Sequence, residues 1–496
     1  MRSSDTMKIA LVNCNTTDPI TNIGLAYLIS SLEKKHSVKL VDLTFHPKDY
    51  LEYVRLCLAD KPDIVGFSVT SFTFQKGIRV ARYIRQLYPD LRFIFGGVHP
   101  TLMPEETIRH PLVDAICVGE GEKSFLEYLD SLEKGNAPYV NGIWSKNAQG
   151  VIIKNPPRPF EENLDIVCFP NWSHWNMEQY LNTSLFFTGS ISCLASRGCL
   201  YECTFCSNNA IKHASPGNYY RTRSPQNVID EIKDNLNKYW DKGMRAVFIC
   251  DEIFGANIRY LKEFCSLYRN AGFHKILPWS CQVRCDIVTD EWAQEAHNAG
   301  CLFVSFGIDS GNDYIRRKVY GKNISREQII AATRSLKANR IQYKFSFLVG
   351  CPEETKETIS ESIRLTKELK PIMSYFNCYQ PLPKTELGEK IWPGRWDNII
   401  DNQGFVDLWN KPRILTNTLT IVDLHKQLLR IHIRILTMFL INGLRKRGIV
   451  FLRDVFSYVF SRRIQRKLSL QHPFSYYDLV QKTTHRYIFE DWTRTR

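Results

Sequence analysis

Two trains of short apolar runs, each separated by helical patterns, organise this chain. In the first, KIALVN (8–13), VKLVDL (38–43), DIVGFSV (63–69), RFIFGG (92–97) and DAICVG (114–119) are rich in Val, Ile and Phe, as strands buried on both faces are. Between them, IGLAYLISSLEKK (23–35) and KGIRVARYIRQLY (76–88) carry the periodicity of amphipathic helices. This alternation predicts a parallel sheet with crossover helices. The second train starts at Ser190: ISCLAS, AVFIC, WSCQV, LFVSFGI, YKFSFLVG and YFNCYQP, with helical patterns at SPQNVIDEIKDNLNKYW and TKETISESIRLTKELK. Its spacing predicts repeated βα units, enough for a full or partial barrel.

The stretch between the trains is rich in proline (Pro156, Pro157, Pro159, Pro170) and weak in periodicity. After residue 396 the strand signal fades and two long amphipathic patterns with basic faces follow. The expected organisation is therefore an N-terminal Rossmann-like domain (1–150), a linker (151–185), a barrel (186–395) and a basic helical C-terminal domain (396–496). Charge sharpens this picture. The net charge is +14, and from His425 onward fifteen Lys and Arg face only four Asp and Glu. Such a tail suits an acidic partner or a solvated helical face. It lacks a helix-turn-helix or aromatic-stacking motif, so nucleic acid is not expected. The richest apolar run, ILTMFLI (435–441), is too short to span a bilayer, although the 425–467 helices could touch a membrane surface. With no secretory pattern at Met1–Asn13, a cytoplasmic location is expected, where fifteen cysteines are reduced, metal-bound or catalytic rather than paired.

Candidate chemistry gathers at two places. Glycines follow strands of the first train: Gly96 and Gly97, then Gly119 and Gly121. These mark the carboxyl edge where open α/β sheets bind ligands, and a backbone without Cβ admits a large ligand closely. Ser68, Thr70 and Ser71, the turn Gly96–Gly97–Val98–His99, and Gly119–Glu120–Gly121 would together form a hydrogen-bonding rim. The second place is SRGCLYECTFCSNNA (196–210), with Cys199, Cys203 and Cys206 spaced C-x3-C-x2-C directly after the first strand of the second train. A structural zinc site wants four protein ligands; His213 is the only candidate nearby. Three thiolates from one loop suit a [4Fe–4S] cluster with one iron left open. Cys281 and Cys285 form a second C-x3-C on a strand and read as small core residues. No cysteine lies beyond Cys378, which excludes a cysteine-rich C-terminal extension with an auxiliary cluster.

The triplet resembles that of the radical SAM superfamily, in which S-adenosylmethionine chelates the open iron. The resemblance extends to Phe205, implied to pack near the adenine. Asp251 and Glu252 in FICDEIFGAN resemble the acidic motif that receives the methionine amino group. Arg284 in WSCQVRCD stands where a guanidinium would pair with the methionine carboxylate. Asp309 and Ser310 in FGIDSGND come near the ribose or methionine end, with Gly321 and Lys322 following. FLVGCPEET resembles the strand lining the adenine, but Glu353 stands where the family often has Gly. YFNCYQPLPKTELGEK resembles the final barrel strand, leaving Tyr379 and Gln380 either facing the pocket or structural.

The first train, through NIGLAYL, DIVGFSVTS, IFGGVHPT and VGEGE, resembles the cobalamin-binding domain of the class that includes the anaerobic magnesium-protoporphyrin cyclase and many C-methyltransferases. The D-x-H-x-x-G motif that ligates cobalt from below is absent, and His99 lies in a different context. The resemblance implies an enzyme using a [4Fe–4S] cluster, S-adenosylmethionine and cobalamin, fed by an electron donor such as flavodoxin or ferredoxin. It implies reductive cleavage of S-adenosylmethionine and methylation of an unactivated carbon of a small-molecule substrate. Radical oxidation, cyclisation or rearrangement without methyl transfer is the alternative. A different class, a metal- or cobalamin-binding regulatory module, would put zinc at the triplet and leave Asp251, Glu252 and Arg284 without purpose. The basic residues and aromatics of the C-terminal region (Trp409, Tyr458, Tyr476, Tyr477) would suit an anionic or lipid-linked substrate.

Overall fold

The computed structural model describes residues 6–15, 20–46, 48–135, 139–183 and 189–394, with Leu419 and Asp423. The expected basic helices of 396–496 otherwise lie outside the described residues. The chain divides into two compact units: Met1–Met177 with Arg197–Arg223 and Pro381–Val406, and Glu178–Ser196 with Ser224–Gln380 and Asp407–Arg496. Among the described residues, no helix is long and apolar enough to cross a membrane.

The first unit is built on a seven-stranded sheet. Strands β1 (Lys8–Asn13), β2 (Ser37–Asp42), β3 (Ile64–Ser68), β4 (Arg92–Gly96) and β5 (Ala115–Cys117) pair in parallel in the order 2-1-3-4-5. Two antiparallel strands, β6 (Ile143–Lys146) and β7 (Ile152–Lys154), extend it past residue 150. The order reverses between β1 and β3, the switch point that opens a ligand crevice at the carboxyl ends. β1 shows side chains to solvent only at Lys8, and β3 only partly at Ser68, so both faces of the sheet are covered. The helix Ile23–Leu32 begins where the Asn22 side chain accepts from Leu25 N at 3.1 Å, an N-cap.

In chain order, β8 (Ser190–Cys193) opens the second unit, and the short strands β9 (Ser196–Arg197) and β10 (Arg221–Thr222) bracket the cysteine loop. Five strands follow: β11 (Ala246–Ile249), β12 (Trp279–Val283), β13 (Cys301–Asp309), β14 (Gln342–Val349) and β15 (Met373–Cys378). With β8 they form an all-parallel sheet in the order 8-11-12-13-14-15. Helices join the successive strands, as parallel pairing requires. Their starts are set by local chemistry: Ser325 and Thr355 form capping boxes with Gln328 and Thr358. One face is fixed to these helices. Trp279 packs edge-on against Phe254 and Phe264, and the Tyr343 hydroxyl donates to Leu369 O at the end of the helix Lys356–Leu369. The alternating residues Ser280, Gln282, Lys344 and Ser346 therefore face the opposite, inner side. The architecture is the expected one: a Rossmann-like sheet followed by a partial (β/α) barrel.

Candidate active site

Gly198 determines how the cysteine loop begins. It adopts φ 87°, and a Cβ there would lie 2.1 Å from Tyr219 O, so only glycine fits between Arg197 and Cys199. Cys199, Cys203 and Cys206 are half-buried, and no disulfide engages any of the fifteen cysteines. Cys206 N donates to Cys203 O at 3.1 Å, and Leu387 N donates to Thr204 O at 2.9 Å, tethering the turn. The contrast with core cysteines is chemical. Burial pushes the Cys14 and Cys117 thiols up to about 12, which makes them poor thiolates. Among the described residues, no three His, Cys, Asp or Glu side chains converge on a single-ion position. A cluster asks instead for one thiolate per iron at three separate irons, and three half-exposed thiols on one loop fit that donor set.

The base of this loop is held by ions. Arg197 meets Glu120 at 3.1 Å and Glu122 at 2.6 Å, and its guanidinium lies 5.0 Å over the Tyr27 ring. Arg221 grips both oxygens of Glu120 at 3.0 and 3.1 Å and lies 4.8 Å over Phe160. Glu161 N donates to the same carboxylate at 3.0 Å. Burial alone would raise the Glu120 carboxyl, but the two guanidinium charges outweigh it and hold it below the ordinary value. After the cysteines, the helix Ser207–Lys212 sets Ala210 and Ile211 against the core of the first sheet. A Cβ on Gly119 (φ 84°) would come 2.9 Å from Ser215 Oγ.

The remaining rim residues are largely bonded to one another. Ser68 Oγ accepts from Asn22 at 3.3 Å, and Thr70, exposed, donates its N–H to Thr73 Oγ1 at 3.0 Å. Gly96 ends β4. Gly97 has φ 96°, and a Cβ there would sit 2.7 Å from Val69 O. His99 is fully buried: its Nδ1 shares a hydrogen bond with Ser71 Oγ at 3.1 Å, its ring stacks on Phe74 at 4.2 Å, and Nε2 has no partner. It therefore brings no imidazole to the edge. Gly121 opens the helix Gly121–Glu133. The edge offers backbone, glycine and hydroxyls, which fit a large flat ring approached without a protein histidine.

In the second unit, Asp251 is buried and accepts from Ala195 N at 2.7 Å and Ser196 Oγ at 2.6 Å. Its neighbour Glu252 is exposed. Arg284, at the end of β12, is matched by both oxygens of Asp286 at 3.0 Å. Asp309 takes a positive φ of 62° and pairs with Lys322 at 2.7 Å. Ser310 is buried and accepts from Asn312 N at 3.2 Å. The structure thus groups the cysteines and the half-buried Phe205 with the rim residues in one unit, and these five in the other. Sequence reasoning missed Ser196, Arg197 and Arg221. Arg197 stood beside the cysteines; the others needed partners distant in sequence.

The fold and site define a class: a ligand-binding α/β sheet joined in one chain to a partial barrel, with a three-thiol loop. Comparison with known proteins makes that class specific. The B12 binding domain matches residues 10–129 and the radical SAM superfamily matches residues 194–366. An uncharacterised methyltransferase of Pyrococcus horikoshii is 29% identical over 394 residues, covering 77% of this chain and 83% of that protein. The anaerobic magnesium-protoporphyrin IX monomethyl ester cyclase of Rubrivivax gelatinosus is 30% identical over 344 residues, covering 67% of this chain, which spans 59% of the cyclase. Among solved structures, the radical S-adenosylmethionine methyltransferase TsrM of Kitasatospora setae, with tryptophan and an S-adenosylmethionine analogue bound, shares the fold. Its TM-score is 0.64 at 21% identity, over 78% of this chain and 76% of that one. The chain belongs to the radical SAM proteins that carry an N-terminal cobalamin-binding domain, and its cofactors are a [4Fe–4S] cluster, S-adenosylmethionine and cobalamin.

Proposed function

We propose that this chain methylates an unactivated carbon of a small-molecule substrate as a cobalamin-dependent radical SAM enzyme. The observation that carries the reading is that the cysteine loop is built into the same compact unit as the B12-binding sheet, through Glu120 held by Arg197 and Arg221 and through Ala210 and Ile211 packed against its core. A shared unit suits an enzyme whose cluster and corrin serve one reaction. When bound, the cofactors supply the electron, radical and methyl-transfer chemistry. The chain supplies position. Cys199, Cys203 and Cys206 would hold three irons, and Phe205 would flank the adenine. Asp251, Glu252, Arg284, Asp309 and Ser310 would hold the polar groups of S-adenosylmethionine, while the glycine rim would receive cobalamin. A flavodoxin- or ferredoxin-type donor would deliver the electron.

The test uses anaerobically reconstituted protein with S-adenosylmethionine, cobalamin and dithionite. The expected result is about four irons and one cobalt per chain, with release of 5′-deoxyadenosine. The variant Cys199→Ala/Cys203→Ala/Cys206→Ala is expected to lose the iron and at least a hundredfold of that release. Continued cleavage by the triple variant would sink the assignment. The cyclase relative at 30% identity supports a second reading, radical ring formation without methyl transfer. Deuterated methyl from labelled S-adenosylmethionine appearing in product decides for methylation.

A further inference from the structure

Just past the third cysteine, the chain turns into the helix Ser207–Lys212 with Cys206 as its N-cap residue. Asn208 stands in the first turn of that helix, two positions beyond the thiol. Its side-chain Nδ2 donates to Cys206 Sγ at 3.7 Å. The other branch of the same amide, Oδ1, accepts from the Tyr219 hydroxyl. An amide carries its acceptor and its donors on separate branches, so the phenol bound at one fixes the direction of the other. Tyr219 is itself held by the cysteine loop. Its ring lies 5.3 Å from Phe160, its backbone oxygen accepts from Arg221 Nε at 3.2 Å, and Gly198 is packed against that same carbonyl. Cys206, Asn208 and Tyr219 are all half-buried, so water screens this donor chain only in part.

We propose that Tyr219 and Asn208 tune the cluster through the Cys206 sulfur and raise its reduction potential. The inference rests on the reading that Cys199, Cys203 and Cys206 hold that cluster. A thiolate bound to one iron keeps lone pairs, so Asn208 can donate to Cys206 Sγ with the cluster in place. One electron leaves the flavodoxin- or ferredoxin-type donor and enters the cluster, and the added negative charge spreads onto the ligating sulfurs. An N–H aimed at one of them stabilises the reduced form more than the oxidised form, and hydrogen bonds to the sulfurs are a known lever on such potentials. Tyr219 adds to this in two ways. It locks the amide in the orientation that donates to sulfur, and its O–H polarises the amide as bonds in a chain do. Both are positioning residues: they set how readily the electron is accepted and take no part in bond cleavage.

The experiment is a redox titration of the full reconstituted chain without substrate, followed by the electron paramagnetic resonance of the reduced cluster. Asn208→Leu keeps the side-chain size and removes the donor. At a fixed potential near the wild-type midpoint, it is expected to lower the reduced-to-oxidised ratio at least threefold, with iron per chain unchanged. Tyr219→Phe keeps the ring beside Phe160 and is expected to move the midpoint the same way by a smaller amount. Asn208→Gln, which retains an amide, is expected to recover part of the wild-type value. Midpoints equal to wild type in iron-replete Asn208→Leu and Tyr219→Phe would overturn the proposal. Should Asn208→Leu fail to hold iron, Tyr219→Phe decides alone, because it leaves the amide and its helix intact. Failure of the underlying reading looks different. A wild-type chain that takes up no [4Fe–4S] cluster would sink the cluster assignment and the tuning together, whereas a loaded chain with unshifted midpoints sinks the tuning alone.

Discussion

The two sheets are both parallel and both bring candidate residues toward their carboxyl ends, yet they present chemistry in opposite ways. In the first, polar side chains at the edge bond to one another: Asn22 to Ser68, Ser71 to His99, Glu120 to Arg197 and Arg221. What is left for a ligand is backbone at glycines such as Gly97. In the second, inward side chains such as Gln282, Ser346 and Tyr375 remain half-buried and unlike one another. The difference lies at the rim. The first edge satisfies its polar groups internally, whereas in the second sheet Gln282, Gly307 and Ser346 stay half-buried at the carboxyl end of an otherwise buried sheet and can be aimed at a ligand. A glycine-and-backbone edge suits one large rigid cofactor, and a side-chain-lined face suits a small substrate whose identity varies.

The comparison can be broken hardest at Gly198, where backbone rather than side-chain chemistry is decisive. Gly198→Ala puts a methyl group 2.1 Å from Tyr219 O at φ 87°, which costs roughly 1–2 kcal/mol for the left-handed backbone before the clash is counted. Iron retained after reconstitution is expected to fall severalfold with the cysteines intact; normal iron content would show that the loop can relocate. Glu120→Gln is the next largest. It leaves Arg197 and Arg221 with less compensating charge at a site partly open to water, at about 2–3 kcal/mol, below the 3–5 of a fully buried pair. Denaturant unfolding should show the loss, together with weaker iron retention. Because the Glu120 pKa is lowered, its contribution is present above the ordinary carboxylate range and lost as pH falls through the folded value. Wild type and Glu120→Gln are therefore expected to converge in acid.

Much of this was legible in the chain. Each of the eleven strands read from apolar runs is present, because buried parallel strands leave a continuous hydrophobic signature. The β6–β7 hairpin was not read: its strands are four and three residues long, and its turn relies on Asn147 Oδ1 accepting from Gln149 N and Val151 N. Glu120 was legible as a rim residue, but its partners lie 77 and 101 positions away, and no local pattern joins them. The cysteine spacing was readable because one loop holds all three thiols. The ion network at its base was not, because it is assembled only by tertiary structure.

The titration effect, nil above neutral pH and growing only in acid, tests the internal closure of the first edge. His99 is held neutral, its pKa lowered to about 3 by burial, while in the unfolded chain it titrates near its ordinary 6.5. Stability from this group is fully present above pH 6.5. It declines as pH falls, because the unfolded chain takes up a proton that the folded one refuses, by up to about 1.4 kcal/mol per pH unit until the folded value is reached. His99→Asn removes the titration and keeps a polar atom within reach of Ser71, at the cost of the stacking on Phe74. The variant is expected to be less stable at pH 7.5 but to show a shallower decline between pH 6.5 and 4.5. Amide exchange across β3 and β4 reads this locally, so changes in the second sheet do not enter. If both proteins lose protection in parallel, His99 is not sealed from protons, and the edge is more open to solvent and ligand than its internal bonding indicates.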